Sequence, residues 1–359
     1  MKFSKQDTNI AKTVAIVMMY IHHLFYSKET YAGYLFSFAP LSEAQTLVLA
    51  QCCKVCVAVF VFLSAYGITL SFRKREKEFG ETWRILYVDD FCRYIKLIFG
   101  FWFIYILAQC TSFLGRSNVE VYGTGVRRVI HTIIDVFGMS SICQTPTFNP
   151  TWWYMGLAIA MLLLMPLLYR AQKKLNVVIP LLIVIIPRML SLEFTNLRRY
   201  VLVMCVGILF AEGDLFARIH NAKIVNRGGY FCKLTICVIL FCGFYYVRYK
   251  TGYFLDIIDS SMAVIIIYFF FELFYGKGES IKNIMGFIGK YSMNMFLAHS
   301  FFLFFYFKHF FYSFQNAWLI LFVLIVVTLA FSVLVEFVKK ESGFCRFVDR
   351  VNQRIRQRL

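Results

Sequence analysis

The chain has 359 residues, of which 60% are hydrophobic and 19% aromatic, and its formal net charge is +18. That composition, with a mean hydropathy of +0.65, lies well beyond the roughly 45–50% apolar content of ordinary soluble domains and excludes a water-soluble globule. The excess of Lys and Arg is read as the positive charge that orients membrane loops, so a nucleic-acid partner is not expected.

In chain order, apolar runs bounded by polar clusters mark candidate helices at residues 10–27, 47–72, 95–114, 151–169, 176–192, 199–217, 231–248, 258–276, 289–310 and 316–338. Lipid cannot satisfy open backbone groups, and these runs are too long and too uniformly apolar for barrel strands, so helices are the expected form. The first run lacks a small-residue cleavage site behind it and is expected to stay as a span. Between the second and third runs, "SFRKREKEFGETWRILYVDDFCRYIK" concentrates cations, either as an orientation anchor or as a polyanion site. Residues 115–150 form a long loop, expected outside, whose apolar piece "VIHTIIDVFGM" is too short to cross; it re-enters or lies at the interface, as a lid or acceptor platform. The tail "GFCRFVDRVNQRIRQRL" spaces Phe344, Phe347, Val348, Val351, Ile355 and Leu359 at helical intervals with Arg between, the pattern of an amphipathic helix on an anionic leaflet.

Lys and Arg fall mainly on the loops that lie inside when the N-terminus is cytoplasmic. The expected fold is therefore an all-α integral membrane protein, a bundle of about ten transmembrane helices with both termini cytoplasmic. A transmembrane domain covers 1–338, and 339–359 forms a basic amphipathic cytoplasmic tail. The eleven cysteines sit mostly in apolar runs such as "CCKVC" with no acidic or histidine ligands beside them, so no metal site is expected.

The opening "TNIAKTVAIVMMYIHHLFYS" carries Lys12 and, eleven residues later, His23. At about 100° and 1.5 Å per residue the two fall within about 20° of one face, some 16 Å apart, while His22 lies about 80° away. A cation deep in a span costs roughly 2.5–3.5 kcal/mol without a partner or water. Either Lys12 snorkels and the histidines sit at the interface, or this stripe faces a cavity where an imidazole can take a proton. Among other intramembrane ionisable groups, His299 and Glu272 invite a functional or a bundle-locking role. Asp256 and Asp259, at a helix start, are adequately explained by dipole capping.

Four blocks in order carry a resemblance. "IAKTVAIVMMYIHHLF" is similar to the first helix of the acyltransferase-3 family, with Lys12 where arginine is usual. "VCVAVFVFLSAYGITLSF" resembles its second helix, with Ala65 in place of a glycine. "TWWYMGLAIAMLLLMPLLYR" keeps the spacing of Trp153 to Pro166, and "FIGKYSMNMFLAHSFFLFFYF" offers Gly289, Ser292, Phe296, Leu297 and His299. The family's pair of arginines at the start of the third helix is here Arg93 with Lys96, which keeps the charge and loses one guanidinium fork.

The resemblance implies transfer of an acyl group, usually acetyl, from cytoplasmic acyl-CoA to a hydroxyl of a saccharide, in a multi-pass bacterial plasma membrane protein. His23, with His22 beside it, is then the expected general base or acyl carrier, and Lys12 the cation serving the developing charge or the donor's arm. Arg93 and Lys96 are expected to hold the donor's phosphates, within a diffuse field from Arg73, Lys74 and Arg75. Trp152, Trp153 and Tyr154 sit where an outer aromatic belt belongs and either anchor the helix or stack on a sugar; Trp153, Tyr154 and His299 are the candidates for the acceptor. A transporter or flippase for a lipid-linked saccharide is the alternative, although the chain has few mid-span carboxylates and no visible inverted repeat.

Overall fold

The computed structural model describes residues 3–191, 193, 195–222, 229–276 and 278–357. Leu359 of the expected tail pattern lies outside them. The α-helices are α1 Lys5–Phe25, α2 Glu43–Cys52, α3 Cys56–Phe79, α4 Trp83–Cys110, α5 Asn118–Tyr122, α6 Gly125–Val136, α7 Trp153–Leu175, α8 Val178–Met189 and α9 Asn196–Gly213. They continue with α10 Leu215–Asn221, α11 Gly229–Thr251, α12 Leu255–Phe274, α13 Glu279–Lys290, α14 Ser292–Ser300, α15 Lys308–Tyr312, α16 Ala317–Glu341 and α17 Phe344–Gln357. Among the described residues no strand forms.

Every expected run coincides with helix, yet only six helical segments are long and apolar enough to cross a membrane. These are Glu43–Phe79, Trp83–Cys110, Pro150–Leu175, Gly229–Thr251, Leu255–Phe274 and Ala317–Glu341, with a seventh if α9 and α10, bent by 64°, count as one span. The reading of ten spans is thus supported for six or seven, and the side on which each terminus lies is not fixed by the fold. The remainder fall short for physical reasons: Asn9, Lys12, His22 and His23 dilute the apolar run of α1, α8 has 12 residues, and the ninth run breaks after Ser300.

The helices gather into two compact units, one of Met1–Met19, Cys52–Thr82 and Leu164–Lys290, the other of Tyr20–Gln51, Trp83–Leu163 and Tyr291–Leu359. In the first unit α3 packs on α9 at small residues: a Cβ on Gly207 would lie 2.9 Å from the Ala65 Cβ and 3.0 Å from the Phe62 carbonyl oxygen. Close approach of this kind replaces the hydrophobic drive that lipid does not provide between helices.

Buried ion pairs show how the helices of this unit run. Arg199 near the start of α9 and Arg248 near the end of α11 both bind Asp259 near the start of α12, while Lys233 near the start of α11 reaches Glu272 near the end of α12. Arg188 at the end of α8 grips Asp256. So α9 and α12 run one way and α8 and α11 the other, the alternation expected of successive crossings. Asp256 and Asp259 are buried ion-pair anchors, where helix capping alone was expected. Glu272 accepts from His220, Lys233 and Tyr268, so it belongs to a locking network. Removing one partner of such a set leaves an uncompensated buried charge, at a cost of about 3–5 kcal/mol.

In the second unit an aromatic core joins α4 to the start of α7 and to α14: Phe101 and Tyr105 meet Trp152, which in turn meets Phe301. The loop 115–150 is ordered around Asp135, a buried carboxylate that accepts from Tyr122 Oη at 2.6 Å, Ser140 Oγ at 2.7 Å and the Phe148 amide at 2.7 Å. Burial and then the Asp135 charge push the Tyr122 phenol well up, which keeps it a donor. Helix α6 leaves Val126, Val129, Ile130 and Ile133 exposed, a stripe suited to lying at a membrane interface. Helix α17 is seated on α4, with Phe347 stacked on Phe99 and Arg356 bound to Asp89.

Candidate functional site

The last turn of α1 and the end of α14 bring His23 and His299 together in the second unit, with ring centroids 5.0 Å apart. His299 is fully enclosed. Its Nδ1 lies 2.7 Å from the Phe296 carbonyl oxygen, which can only accept, so in the neutral ring the proton sits on Nδ1 and Nε2 carries the lone pair. That Nε2 is buried with no hydrogen-bond partner among the described residues. Tyr20 stacks on the same ring at 5.4 Å and sends its hydroxyl to Thr328 at 2.8 Å. His22 is anchored differently: its Nδ1 lies 2.9 Å from the Ala50 carbonyl oxygen. His23 is half-buried between His22, His299 and Phe304.

Immediately after His299 the chain winds as π-helix over Phe301–Tyr306, a distortion that recurs at functional sites. Ser300 and Asn149 are both fully buried, and the Asn149 amide donates to Ser300 Oγ at 2.5 Å while its own oxygen takes the Thr151 amide at 3.1 Å. Trp152 donates to the Leu297 carbonyl at 3.0 Å. This polar set holds the chain on either side of His299. The sequence reading missed Asn149, Ser300 and Tyr20, because a buried amide or hydroxyl leaves no periodicity to find; the "NPTWW" beside a recognised block was the available signal. Of the residues that it chose here, Tyr154 packs edge-on against Phe296 at 5.4 Å, and Trp153 stands edge-on to Tyr154 at 6.2 Å.

Lys12 belongs to the first unit, where it is half-buried within electrostatic reach of Lys5, and no described residue offers it a hydrogen bond or a carboxylate. At the C-terminal end of α3 a cleft of about 290 Å³ is lined by Phe3, Tyr66, Leu70, Arg73, Lys74, Lys77 and Asp214. Arg73 is held there by the Ala211 carbonyl at 2.6 Å and Glu212 at 3.4 Å. The volume is at the small end of ligand sites, which start at about 300 Å³, and it suits a phosphate group with a neighbouring ring more than a whole nucleotide.

Carboxylates engage all the cations expected at a donor site, Lys74 meeting Glu78 at 3.7 Å. Arg75 pairs with Glu78 at 3.5 Å. Arg93 binds Asp89 at 3.1 Å and Asp90 at 3.5 Å, and Lys96 binds Asp349 of α17 at 3.0 Å. The structure therefore brings His22, His23 and His299 together, and separately gathers Arg73 with Lys74. Arg93 and Lys96 are joined to the seating of α17.

A family model described as an acyltransferase domain matches residues 6–337, nearly the whole chain. No curated protein and no solved structure matches it.

Proposed function

This chain belongs to the acyltransferase-3 family and is a multi-pass membrane acyltransferase, and from that premise we propose that it is an O-acyltransferase of a bacterial plasma membrane. It moves an acyl group, acetyl in our reading, from cytoplasmic acyl-CoA to a hydroxyl of a cell-surface or lipid-linked saccharide. The observation that carries the chemistry is the His23 and His299 pair, in which an enclosed Nε2 acceptor lies beside a second imidazole.

In this reading the acceptor hydroxyl gives its proton to His23 as its oxygen attacks the thioester carbonyl carbon. The carbon–sulfur bond breaks, and the proton returns to the departing thiolate. The His299 lone pair stabilises the transient His23 imidazolium, and its own Nδ1–H, tied to Phe296, keeps that lone pair in place. General-base assistance of this kind contributes about 10²–10⁴ in rate. Trp153 and Tyr154 contact the sugar, and Lys12, a cation without a carboxylate, serves the donor or the developing oxyanion.

For the donor's phosphates the cleft at the end of α3 is the better fit than Arg93 and Lys96. Arg73, Lys74 and Lys77 line open space beside Tyr66 and Phe3; Lys77 has no carboxylate among the described residues, and Arg73 and Lys74 meet Glu212 and Glu78 at 3.4 and 3.7 Å, longer than the 3.1 and 3.0 Å at which Arg93 and Lys96 are held. The flanking 339–359 segment acts as a basic amphipathic tail seated at the membrane surface.

The test is a strain making His23→Ala protein at normal level. Hydroxylamine-sensitive acyl ester on surface polysaccharide should disappear, and its survival at the full amount would overturn the assignment. With purified protein, Arg73→Gln combined with Lys77→Gln should raise KM for acetyl-CoA more than Arg93→Gln combined with Lys96→Gln; the reverse order would move the donor site.

A further inference from the structure

At one end of the first unit, where α8 and α11 finish and α9 and α12 begin, four cations meet two carboxylates. Arg188 holds Asp256 through two bonds, at 3.1 and 2.7 Å. Asp259 takes Arg199 through Nε at 2.7 Å and Nη2 at 2.5 Å, and Arg248 through Nε at 3.0 Å. Lys54, just ahead of α3, is exposed and within electrostatic reach of Arg199, Arg248 and Asp259. Its ammonium has no hydrogen bond or ion pair with any described residue. Two carboxylates neutralise two of the four cations, so the cluster keeps an excess of positive charge.

Donors that remain include the Lys54 ammonium and the terminal amines of Arg248, whose Nε alone is bound to Asp259. Like charges held this close, in segments apolar enough to sit in a membrane, repel unless an anion joins them. One tyrosine borders the spot: Tyr245 lies within electrostatic reach of Arg248 and packs on Tyr249 at 6.4 Å, whose exposed ring also meets Lys250 at 5.9 Å. Such rings present a flat apolar face with a polar edge, which suits a sugar.

We propose that this end of the first unit is a binding site for the anionic group, a phosphate or carboxylate, of a charged saccharide acceptor. Lys54 and Arg248 make the contacts, and Asp259 is a positioning residue that aims Arg248. The saccharide's role as acceptor rests on the function proposed above; the anion site itself does not. A lipid headgroup phosphate carries the same chemistry and is separated by experiment.

The full-length protein in phosphatidylcholine nanodiscs is titrated with glucuronate, glucose 6-phosphate and glucose, with binding read by saturation-transfer NMR. The anionic sugars should bind and glucose should not. Lys54→Gln, which breaks no existing contact, should weaken anionic-sugar binding by roughly tenfold or more, the loss of one charge-assisted hydrogen bond; Arg248→Lys should cause a smaller loss. Equal binding of glucose and glucuronate, or an unchanged Lys54→Gln protein, would overturn the proposal. So would loss of sugar binding as phosphatidylglycerol replaces phosphatidylcholine, which would assign the site to lipid. Sugar binding is read without acyl-CoA, so a failure of the catalytic reading shows in acyl transfer and a failure of this site shows in binding.

Discussion

Alanine at Gly289 should loosen α13 from the first helix, while alanine three residues earlier should not. A Cβ on Gly289 would lie 1.9 Å from the Asn9 carbonyl oxygen and 2.6 Å from its carbon. Both are backbone atoms, which no rotamer change can move. Carbon and oxygen tolerate about 3.3 Å even in favourable contacts, so the two segments must part by roughly 1.4 Å. That movement strains the bond from Thr13 Oγ1 to the Met285 carbonyl and the one from Gln6 to Asn283 at 3.0 Å. Overpacking costs about 1–3 kcal/mol, and a weakened hydrogen bond adds about 1 kcal/mol. The better helix propensity of alanine returns only about 1 kcal/mol. At Gly286 the nearest atom to a Cβ is the Gln6 Cγ at 3.7 Å, an ordinary contact, so propensity prevails and the change is neutral or stabilising by up to about 1 kcal/mol. Thermal unfolding of the two variants in one detergent should therefore place Gly289→Ala below wild type and Gly286→Ala at or above it, roughly 1–5 °C apart for a chain of this length. Because α1 carries Lys12 and His23, Gly289→Ala should also slow acyl transfer with every candidate site residue in place. Coincident melting curves would refute the packing argument.

Three further outcomes are expected. His299→Phe keeps a ring against Tyr20 but removes the enclosed lone pair and should cut acyl transfer by about 10²–10⁴ while leaving the melting temperature near wild type, an unaltered rate reducing His299 to a packing residue. Asp135→Asn leaves one acceptor oxygen where three donors converge and should cost about 2–4 kcal/mol, visible as faster proteolysis within 115–150; equal resistance would mean that the loop is held by other contacts. The Glu81 carboxyl is held below the usual carboxylate range, first by its hydrogen bond and charge interaction with Lys173 and then by Arg170. Its contribution to stability is thus present above the ordinary carboxylate pKa and is lost as pH falls through the lowered value, so Glu81→Gln should flatten the acid limb of a stability profile, and an identical limb would show that the pair is inert.

Membrane residence, helical form and family were all legible in the one-dimensional pattern, because each depends on local quantities: the length of an apolar run, the satisfaction of backbone groups within a helix, and a few spaced residues such as Lys12, His23, Trp153 and His299. Gly289 shows the limit. The sequence marks it as part of a block, but only the Asn9 carbonyl lying over it gives the reason. Which cations are available was equally invisible, since Arg93 and Lys96 look free until Asp89, Asp90 and Asp349 are placed beside them, whereas Lys54 and Lys77 looked unremarkable. The same holds for Asp256 and Asp259, whose partners stand as many as 68 and 60 residues away in the chain. Charge and hydropathy are written residue by residue, and so the sequence determines the solvent that the chain lives in. Pairing, close approach and the orphaned Nε2 of His299 are properties of two or more distant segments at once, and only the packed structure decides them.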